Sequence, residues 1–168
     1  MKSAQEDAYL EFVATRAKPL YRSAYALAAG DTHLAEDLVQ ETLSRVYVHW
    51  KRVASAKSPA AYAQTVLVRT FLSMRRRSST GERPTGNMPD SVAAVPDAAL
   101  RLTLLDALGQ LPPRDRAVLL LRYWDGHSIE ETAHMLRLSS SAVRSRGTRA
   151  LGRMRALLGD SLSDLVPH

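Results

Sequence analysis

Residues 128–158 read SIEETAHMLRLSSSAVRSRGTRALGRMRALL and predict two helices joined by a short turn. Ser128 and Glu131 have the spacing of a capping box, in which each side chain satisfies a free backbone N–H group of the other residue at the start of a helix. After this short helix, Ser139 or Ser140 caps a longer one. A short capped helix, a turn and a second helix rich in arginine and serine form the layout of a helix-turn-helix.

The second helix of this stretch has two different faces. Small and apolar residues recur at helical spacing on one face, which we expect to pack inward: Val143, Gly147, Ala150, Met154 and Leu157. The early part of such a helix enters the major groove of DNA, where arginine binds guanine and serine binds base edges or phosphates. The candidates for base contacts are Arg144, Ser145 and Arg149. The arginines assigned to phosphates are Arg137, Arg153 and Arg155. A basic helix that serves only the helix dipole and solubility is the alternative.

Basic side chains are concentrated in two segments of the chain. Residues 42–77 contain eight basic and no acidic side chains, and residues 137–155 contain six arginines and no carboxylate. Residues 1–41, in contrast, contain four basic and seven acidic side chains, so the net charge of +6 is unevenly spread over the 168 residues. Two cationic surfaces indicate a polyanion contacted at two places, and we expect nucleic acid. Solvated helix faces are the alternative for either segment alone.

Composition excludes several kinds of site. The chain has no cysteine, which excludes disulfide frameworks, thiolate metal sites and cysteine nucleophiles. No apolar run approaches the roughly 20 residues of a membrane span, and the N-terminus lacks the order of a signal peptide. We therefore expect a soluble cytoplasmic protein without membrane insertion.

A catalytic or metal-binding function has little support in the sequence. Glu131 and His134 have an E-x-x-H spacing, but di-iron sites need two such motifs and further carboxylates, and His134 fits a surface position. The chain has no glycine-rich phosphate loop, G-x-S-x-G elbow or H-E-x-x-H motif. We expect no metal, no cofactor and no enzymatic activity.

The chain as a whole predicts an all-α protein of two small modules. Apolar residues recur at helical spacing, and no strand pattern of useful length is present. The first module covers 1–77 and the second 98–158. Between them, 78–97 contains three of the eight prolines and two glycines, which predicts a flexible linker, and 159–168 is interpreted as a tail.

Helix boundaries inside the modules follow from capping signals. A break at Gly30 ends the first helix, and Asp31 or Thr32 caps the second. Ser58 caps the third, with Pro59 in its first turn, where a missing N–H group costs nothing. The second module begins with a helix over 98–110, and the next, over 114–124, precedes Gly126.

Three motifs carry a resemblance to a known family. The segment AEDLVQETLSRVY, residues 35–47, resembles the polymerase-binding segment of extracytoplasmic-function (ECF, group IV) RNA polymerase sigma factors. LPPRDR at 111–116 and SIEETA at 128–133 resemble the promoter-reading domain of the same group. The resemblance covers about residues 5–158 and is strongest to the actinobacterial SigE-type subfamily. It implies sigma region 2, a helical bundle, in the first module and sigma region 4, a helix-turn-helix, in the second.

The resemblance implies that the chain binds core RNA polymerase and directs promoter-specific transcription initiation. The implied contact with the clamp coiled coil of the largest polymerase subunit consists of Asp37, Leu38, Gln40 and Glu41. A second contact, with the flap of the second-largest subunit, and an anti-sigma partner are also expected in this group. A helix-turn-helix regulator that does not replace the sigma subunit and an adaptor that only sequesters polymerase remain alternatives.

The resemblance also divides the DNA contacts between the modules. Residues implied for the minus-ten element are Trp50, Lys51, Arg52, Lys57, Tyr62, Arg69, Arg75, Arg76 and Arg77, and the loop at about Arg52–Ser58 captures a flipped base. Trp50 and Phe71 also fit core positions, and Arg69 departs from the family, where Asn is common. Residues implied for the minus-thirty-five element are Arg137, Ser140, Ser141, Arg144, Ser145, Arg146, Arg149 and Arg153.

Overall fold

The computed structural model describes residues 2–78 and 98–159, and these residues form helices without a β-strand. The first module contains four helices: α1 (Lys2–Leu27), α2 (Thr32–Val48), α3 (Trp50–Ala54) and α4 (Pro59–Ser78). Their shared core is apolar and includes Leu27, Leu38, Leu67 and Phe71, each at most 1% exposed. The all-α prediction is confirmed for the described part of the chain.

The predicted capping residues start two of these helices. Asp31 Oδ1 accepts a hydrogen bond from the Leu34 N–H group at 3.1 Å, so Asp31 is the cap of α2. Ser58 Oγ accepts one from the Ala61 N–H group at 3.1 Å at the start of α4. These side chains satisfy N–H groups that the first turn of a helix leaves without a partner.

Helix α3 was not expected. The sequence predicts a loop at about Arg52–Ser58, but the chain re-enters a helix after His49, and only residues 55–58 separate α3 from α4. Val53 is fully buried and holds this short helix on the core. Arg52 therefore lies on a helix and not in the loop.

The second module contains α5 (Ala98–Gly109), α6 (Pro113–Leu119), α7 (Ile129–Leu136) and α8 (Ser140–Leu158). A π-helical turn, Leu120–Trp124, continues α6. Gly126 has φ +72°, the left-handed conformation that favours glycine. Both hydrogen bonds of the predicted capping box between Ser128 and Glu131 are present at 3.0 Å, and Ser139 is the cap of α8.

Helical spacing over 114–124 makes Val118, Leu119, Leu121 and Tyr123 available for burial, and Leu157 is expected on the packed face of α8. Two of these predictions, for Tyr123 and Leu157, are wrong. Tyr123 is 55% exposed, because the wide π turn changes the angular register after Leu120. Leu158 is buried at the end of α8, whereas Leu157 is 39% exposed. With 3.6 residues per turn, these two positions flank the same stripe, and periodicity does not choose between them.

The two modules pack against each other. Helix α1 contacts α5 and α6, and α4 contacts α6 and α7, so the buried side chains form one cluster. Nothing in the sequence pattern predicts this contact. The predicted linker at 78–97 and tail at 159–168 lie outside the described residues, apart from Ser78 and Gly159. None of the helices described is both long and apolar enough to cross a membrane.

Candidate nucleic-acid and polymerase interface

The exposed face of α2 is acidic. Asp37, Gln40 and Glu41 are all exposed, and Glu41 accepts a hydrogen bond from Arg45 Nε at 3.0 Å. Leu38, in contrast, is fully buried in the core that α2 shares with α1 and α4. Of the four residues implied for polymerase binding, three are accessible to a partner. Leu38 cannot contact a partner in this conformation, because its side chain is packed in the core beneath α2.

Basic side chains surround the start and the end of α4. Near its start, Lys51, Arg52 and Lys57 are exposed; Lys51 and Arg52 extend from α3, and Lys57 lies in the loop before α4. At its end, Arg76 and Arg77 are exposed and Arg75 is half-buried. The described parts of α3 and α4 contain no acidic residue, so positive charge is in excess near both ends of α4.

Trp50 belongs to an aromatic cluster. Its ring lies 5.6 Å from that of Tyr9 and 5.4 Å from that of Phe12, and Tyr47 stands edge-on to Tyr9 at 5.0 Å. The Tyr9 hydroxyl donates to the Leu43 carbonyl at 2.9 Å, which ties the cluster to α2. Such edge-to-face contacts stabilise a packed arrangement. Trp50 is therefore held as a half-buried core residue, and the expected core position of Phe71 is confirmed.

A cleft of about 590 Å³ lies between α4, the loop before it and α7. Lys57, Tyr62 and Arg69 line one side of it, and Glu131 and Met135 line the other. Residues implied for minus-ten recognition thus face the first helix of the helix-turn-helix.

Arg69 connects the modules across this cleft. Its Nε donates to the Met135 carbonyl at 2.9 Å and its Nη2 donates to the His134 carbonyl at 3.0 Å. These carbonyls belong to the last turn of α7, where helix carbonyls lack partners within the helix. Burial, and then the charge of Arg137, lower the pKa of Arg69. The side chain that departs from the family pattern is thus engaged by the protein itself.

Arg116 makes a second connection between the modules. It is 3% exposed, and its Nη1 donates to the Leu27 carbonyl at 2.6 Å while its Nη2 reaches the carbonyls of Gly109 and Leu111. Its guanidinium also lies 5.6 Å from the centre of the Phe71 ring. Burial, followed by repulsion from Arg75, lowers the pKa of Arg116 to about 10, so the group stays charged at neutral pH.

The outer face of α8 carries the candidate base contacts. Arg144, Ser145 and Arg149 are exposed, as is Arg153 further along. At the other end, Arg137 and Ser141 are exposed and Ser140 is half-buried in the first turn. The buried face consists of Val143, Gly147, Ala150, Met154 and Leu158. The separation into a packed and an exposed face that the sequence predicts for α8 is therefore present.

Arg146 differs from its neighbours on α8. Its Nη1 donates to Asp115 Oδ1 on α6 at 2.7 Å, and Asp115 is 3% exposed. The sequence places Asp115 and Arg116 in the LPPRDR motif but does not predict their burial. No local signal pointed to it, because charged residues on a helix of seven residues are usually exposed.

In the E-x-x-H pair, the glutamate is engaged within the protein. Glu131 is engaged in the capping box, and hydrogen bonds from Ser128 lower the pKa of its carboxyl group. His134 is exposed, as expected. Within residues 2–78 and 98–159, no three potential metal ligands cluster.

The chain is similar to known proteins over both modules. The chain matches the family models "Sigma-70 region 2" over residues 12–80 and "Sigma-70, region 4" over residues 101–154. It is 37% identical over 147 residues to the RNA polymerase sigma-E factor of Streptomyces coelicolor, a match covering 86% of this chain and 82% of the relative. It is 34% identical over 149 residues to the ECF RNA polymerase sigma factor SigL of Mycobacterium tuberculosis, covering 83% and 82%.

Two solved structures share the fold. The sigma factor RpoE of Bartonella quintana, solved with the anti-sigma factor NepR, superposes with a TM-score of 0.72 at 22% identity, covering 91% of this chain and 98% of that one. CnrH, solved with the cytosolic domain of CnrY, gives 0.61 at 24% identity, covering 91% and 88%. With both sigma regions matched in order and relatives aligned over most of their length, the chain belongs to the extracytoplasmic-function group of the sigma-70 family of RNA polymerase sigma factors.

Proposed function

We propose that this chain binds core RNA polymerase and directs it to promoters, as a sigma factor of the extracytoplasmic-function group. The observation that carries the proposal is the ordered match of sigma regions 2 and 4 on one chain. The acidic face of α2 and the basic outer face of α8 supply the chemistry that two such contacts need. Because its partner works on the chromosome, the site of action is the cytoplasm, and the chain acts as an initiation factor and not as an enzyme.

Asp37, Gln40 and Glu41 form the contact with the clamp coiled coil of the largest polymerase subunit. Exposed carboxylates pair with arginine side chains on a partner helix, and an amide adds directional hydrogen bonds. Leu38 supports this surface by fixing α2 on its core. The flap of the second-largest subunit is the proposed partner of region 4, and an anti-sigma factor stays a prediction.

The minus-ten contact uses the basic surface around α4. Lys51, Arg52 and Lys57 lie near its start, and a cationic groove of this kind holds a single strand by its phosphates. Tyr62 is the half-buried aromatic residue of the cleft and the candidate for base stacking, since Trp50 is occupied by its cluster. Arg69 joins this surface once it leaves the α7 carbonyls, and the arginines at 75–77 extend it.

The minus-thirty-five contact uses α8. Arg144, Ser145 and Arg149 are exposed on the early part of the helix and read bases in the major groove. Arg137 and Arg153, near the two ends, hold phosphates, and Ser140 and Ser141 lie in the first turn, where N–H groups and hydroxyls also bind phosphate.

The modules must separate when both contacts form. The two promoter elements lie about 25 base pairs apart, which at about 3.4 Å per pair is roughly 85 Å. A compact domain of this length has a radius of gyration of only about 15 Å. The packed arrangement therefore corresponds to a chain that is not engaged with both elements, and polymerase binding holds the modules apart.

Reconstituted transcription tests this proposal. The purified chain is added to sigma-free core polymerase, and transcripts are mapped on a library of random-sequence duplexes and genomic fragments. Initiation at defined sites that appears only when the chain is present is the expected result. A chain that binds DNA without conferring initiation would be a regulator that does not replace the sigma subunit. A chain that binds polymerase and only inhibits it would be an adaptor.

A further inference from the structure

A partly buried ion pair joins α6 to α8, the proposed reading helix. Asp115 on α6 is 3% exposed, and its Oδ1 accepts a hydrogen bond of 2.7 Å from Arg146 Nη1 on α8. The Asp115 side chain is 5% exposed, whereas that of Arg146 is 27% exposed. Arg146 therefore reaches the carboxylate with one nitrogen while part of its guanidinium faces solvent.

Position 146 lies at the border between the packed and the exposed face of α8. Val143 and Gly147 on one side are buried, and a Cβ at Gly147 would stand 3.7 Å from Val118 on α6. Ser145 and Arg149 on the other side are exposed. Among the described ion pairs, Arg146 is the only arginine of α8 with a carboxylate partner. Its side chain is thus held in place, unlike those of Arg144 and Arg149.

A guanidinium has five N–H donors in a planar fork and can bind two anions at once. Asp115 occupies the buried edge of Arg146. The exposed edge remains beside the candidate base contacts Ser145 and Arg149. A side chain whose conformation is already fixed loses less entropy when it binds, and it presents its donors in one direction.

We infer that Asp115 is a positioning residue for binding of the minus-thirty-five element: it holds Arg146 so that the exposed edge of the guanidinium meets a DNA phosphate. This inference rests on the proposed function, because it requires that α8 enters the major groove. Asp115 itself touches no DNA and acts only through Arg146. The phosphate contact sets the position of α8 in the groove, and the neighbouring side chains then read the bases.

A double-mutant cycle tests the inference in the reconstituted holoenzyme. The variants are Asp115→Asn, Arg146→Gln and the double variant, and Asp106→Asn is the matched control, since Asp106 is an exposed carboxylate of the same module. The probe is a duplex carrying the minus-thirty-five element of a promoter selected by the wild-type holoenzyme. Its dissociation constant is measured over a range of salt concentrations, and thermal unfolding of each free variant is recorded.

We expect Asp115→Asn and Arg146→Gln each to weaken duplex binding about tenfold and to reduce the salt slope by about 0.9, the value for one lost phosphate contact. The double variant should bind as weakly as Arg146→Gln alone, because Asp115 acts only through Arg146. Asp106→Asn should bind like the wild type. Gln at position 146 keeps an N–H donor for Asp115 and so spares the buried carboxylate.

Two outcomes would overturn the inference. In one, either single variant retains the wild-type salt slope and loses only thermal stability, which would make the pair purely structural. In the other, the two effects add in the double variant. If Asp115→Asn does not fold, a wild-type salt slope for Arg146→Gln still overturns the inference, because Asp115 acts only through Arg146. A wild-type chain that selects no promoter at all would instead remove the proposed function, and the inference with it.

Discussion

Burial determines what each charged side chain of this protein can do. Asp37 and Glu41 are exposed on α2 and can contact a partner. Glu41 also forms an ion pair with Arg45, with 3.0 Å between Glu41 Oε1 and Arg45 Nε. Exposed pairs of this kind contribute little to stability, so these carboxylates can be replaced without unfolding the chain. Arg116 is the opposite case, because its buried guanidinium donates hydrogen bonds to one carbonyl in each module, those of Leu27 and Leu111.

Reversing the charge of the α2 face should prevent polymerase binding. We expect Asp37→Lys combined with Glu41→Lys to weaken binding to core polymerase at least 100-fold, because two attractive contacts become repulsive. The measurement is titration of fluorescently labelled protein with core enzyme. Glu6→Lys with Glu11→Lys makes the same change in net charge on exposed positions of α1 and should have little effect. Equal losses in the two double variants would show that only net charge matters.

Several helices in this protein begin at a capping side chain, whereas α3 and the π turn depend on packing. Asp31, Ser128 and Ser139 start helices through side-chain bonds to nearby N–H groups, as expected from local sequence. The π turn at Leu120–Trp124 and the short helix α3 have no comparable local signal. Both are stabilised by burial, of Leu120 and Leu121 in one case and Val53 in the other.

Two glycines inside α8 allow the helix propensity of alanine to be compared with the space that packing leaves for its Cβ. A Cβ at Gly147 would meet Val118 at 3.7 Å, an ordinary contact, and a Cβ at Gly152 would meet nothing within 4 Å. Alanine is about 1 kcal/mol better than glycine inside a helix. We therefore expect Gly147→Ala and Gly152→Ala each to raise the melting temperature by about 2–4 °C, measured by calorimetry. A lower melting temperature for Gly147→Ala alone would mean that α6 and α8 approach more closely than described.

Besides the shared apolar cluster and the buried Arg116, two further polar groups connect the modules. Arg69 binds the α7 carbonyls, and the His127 ring shares a hydrogen bond of 2.6 Å with Gln64 on α4. A net contribution of about 1 kcal/mol is typical of one such bond. For the modules to separate as the proposed function requires, binding of core polymerase to both modules has to offset the loss of these bonds and of the apolar packing.

The absence of cysteine allows this opening to be measured. Ser44→Cys and Ala156→Cys introduce the only thiols, at exposed positions of α2 and α8, for a donor and an acceptor dye. We expect energy transfer to fall when Arg69→Ala and His127→Ala are combined, and to fall further when core polymerase is added. Arg45→Ala removes an arginine outside the contact and should leave transfer unchanged. Unchanged transfer in the polymerase complex would contradict the proposed separation.

Much of the candidate site follows from local patterns in the chain. Helical periodicity, the capping box at Ser128 and the arginine spacing of α8 predict the helix-turn-helix, because each of these signals acts over a few residues. Helical spacing also places the acidic residues of α2 on an accessible face, whereas Leu38 on the inner side of the helix is buried. The wrong predictions of burial concern Leu157, which helical periodicity does not distinguish from Leu158, and Tyr123, which follows the wide π turn.

Local sequence patterns do not predict the contact between the modules or the burial of Asp115 and Arg116. Arg69 and Met135 are 66 positions apart, and Arg116 and Leu27 are 89 apart, so no short-range pattern relates them. The pairing of Asp115 with Arg146 likewise depends on how closely α6 and α8 pack. Capping and periodicity are properties of neighbouring residues, and they account for the helices and their exposed faces. Which charge meets which partner depends on the packing of distant helices, because desolvation and hydrogen-bond geometry exist only once the core has formed.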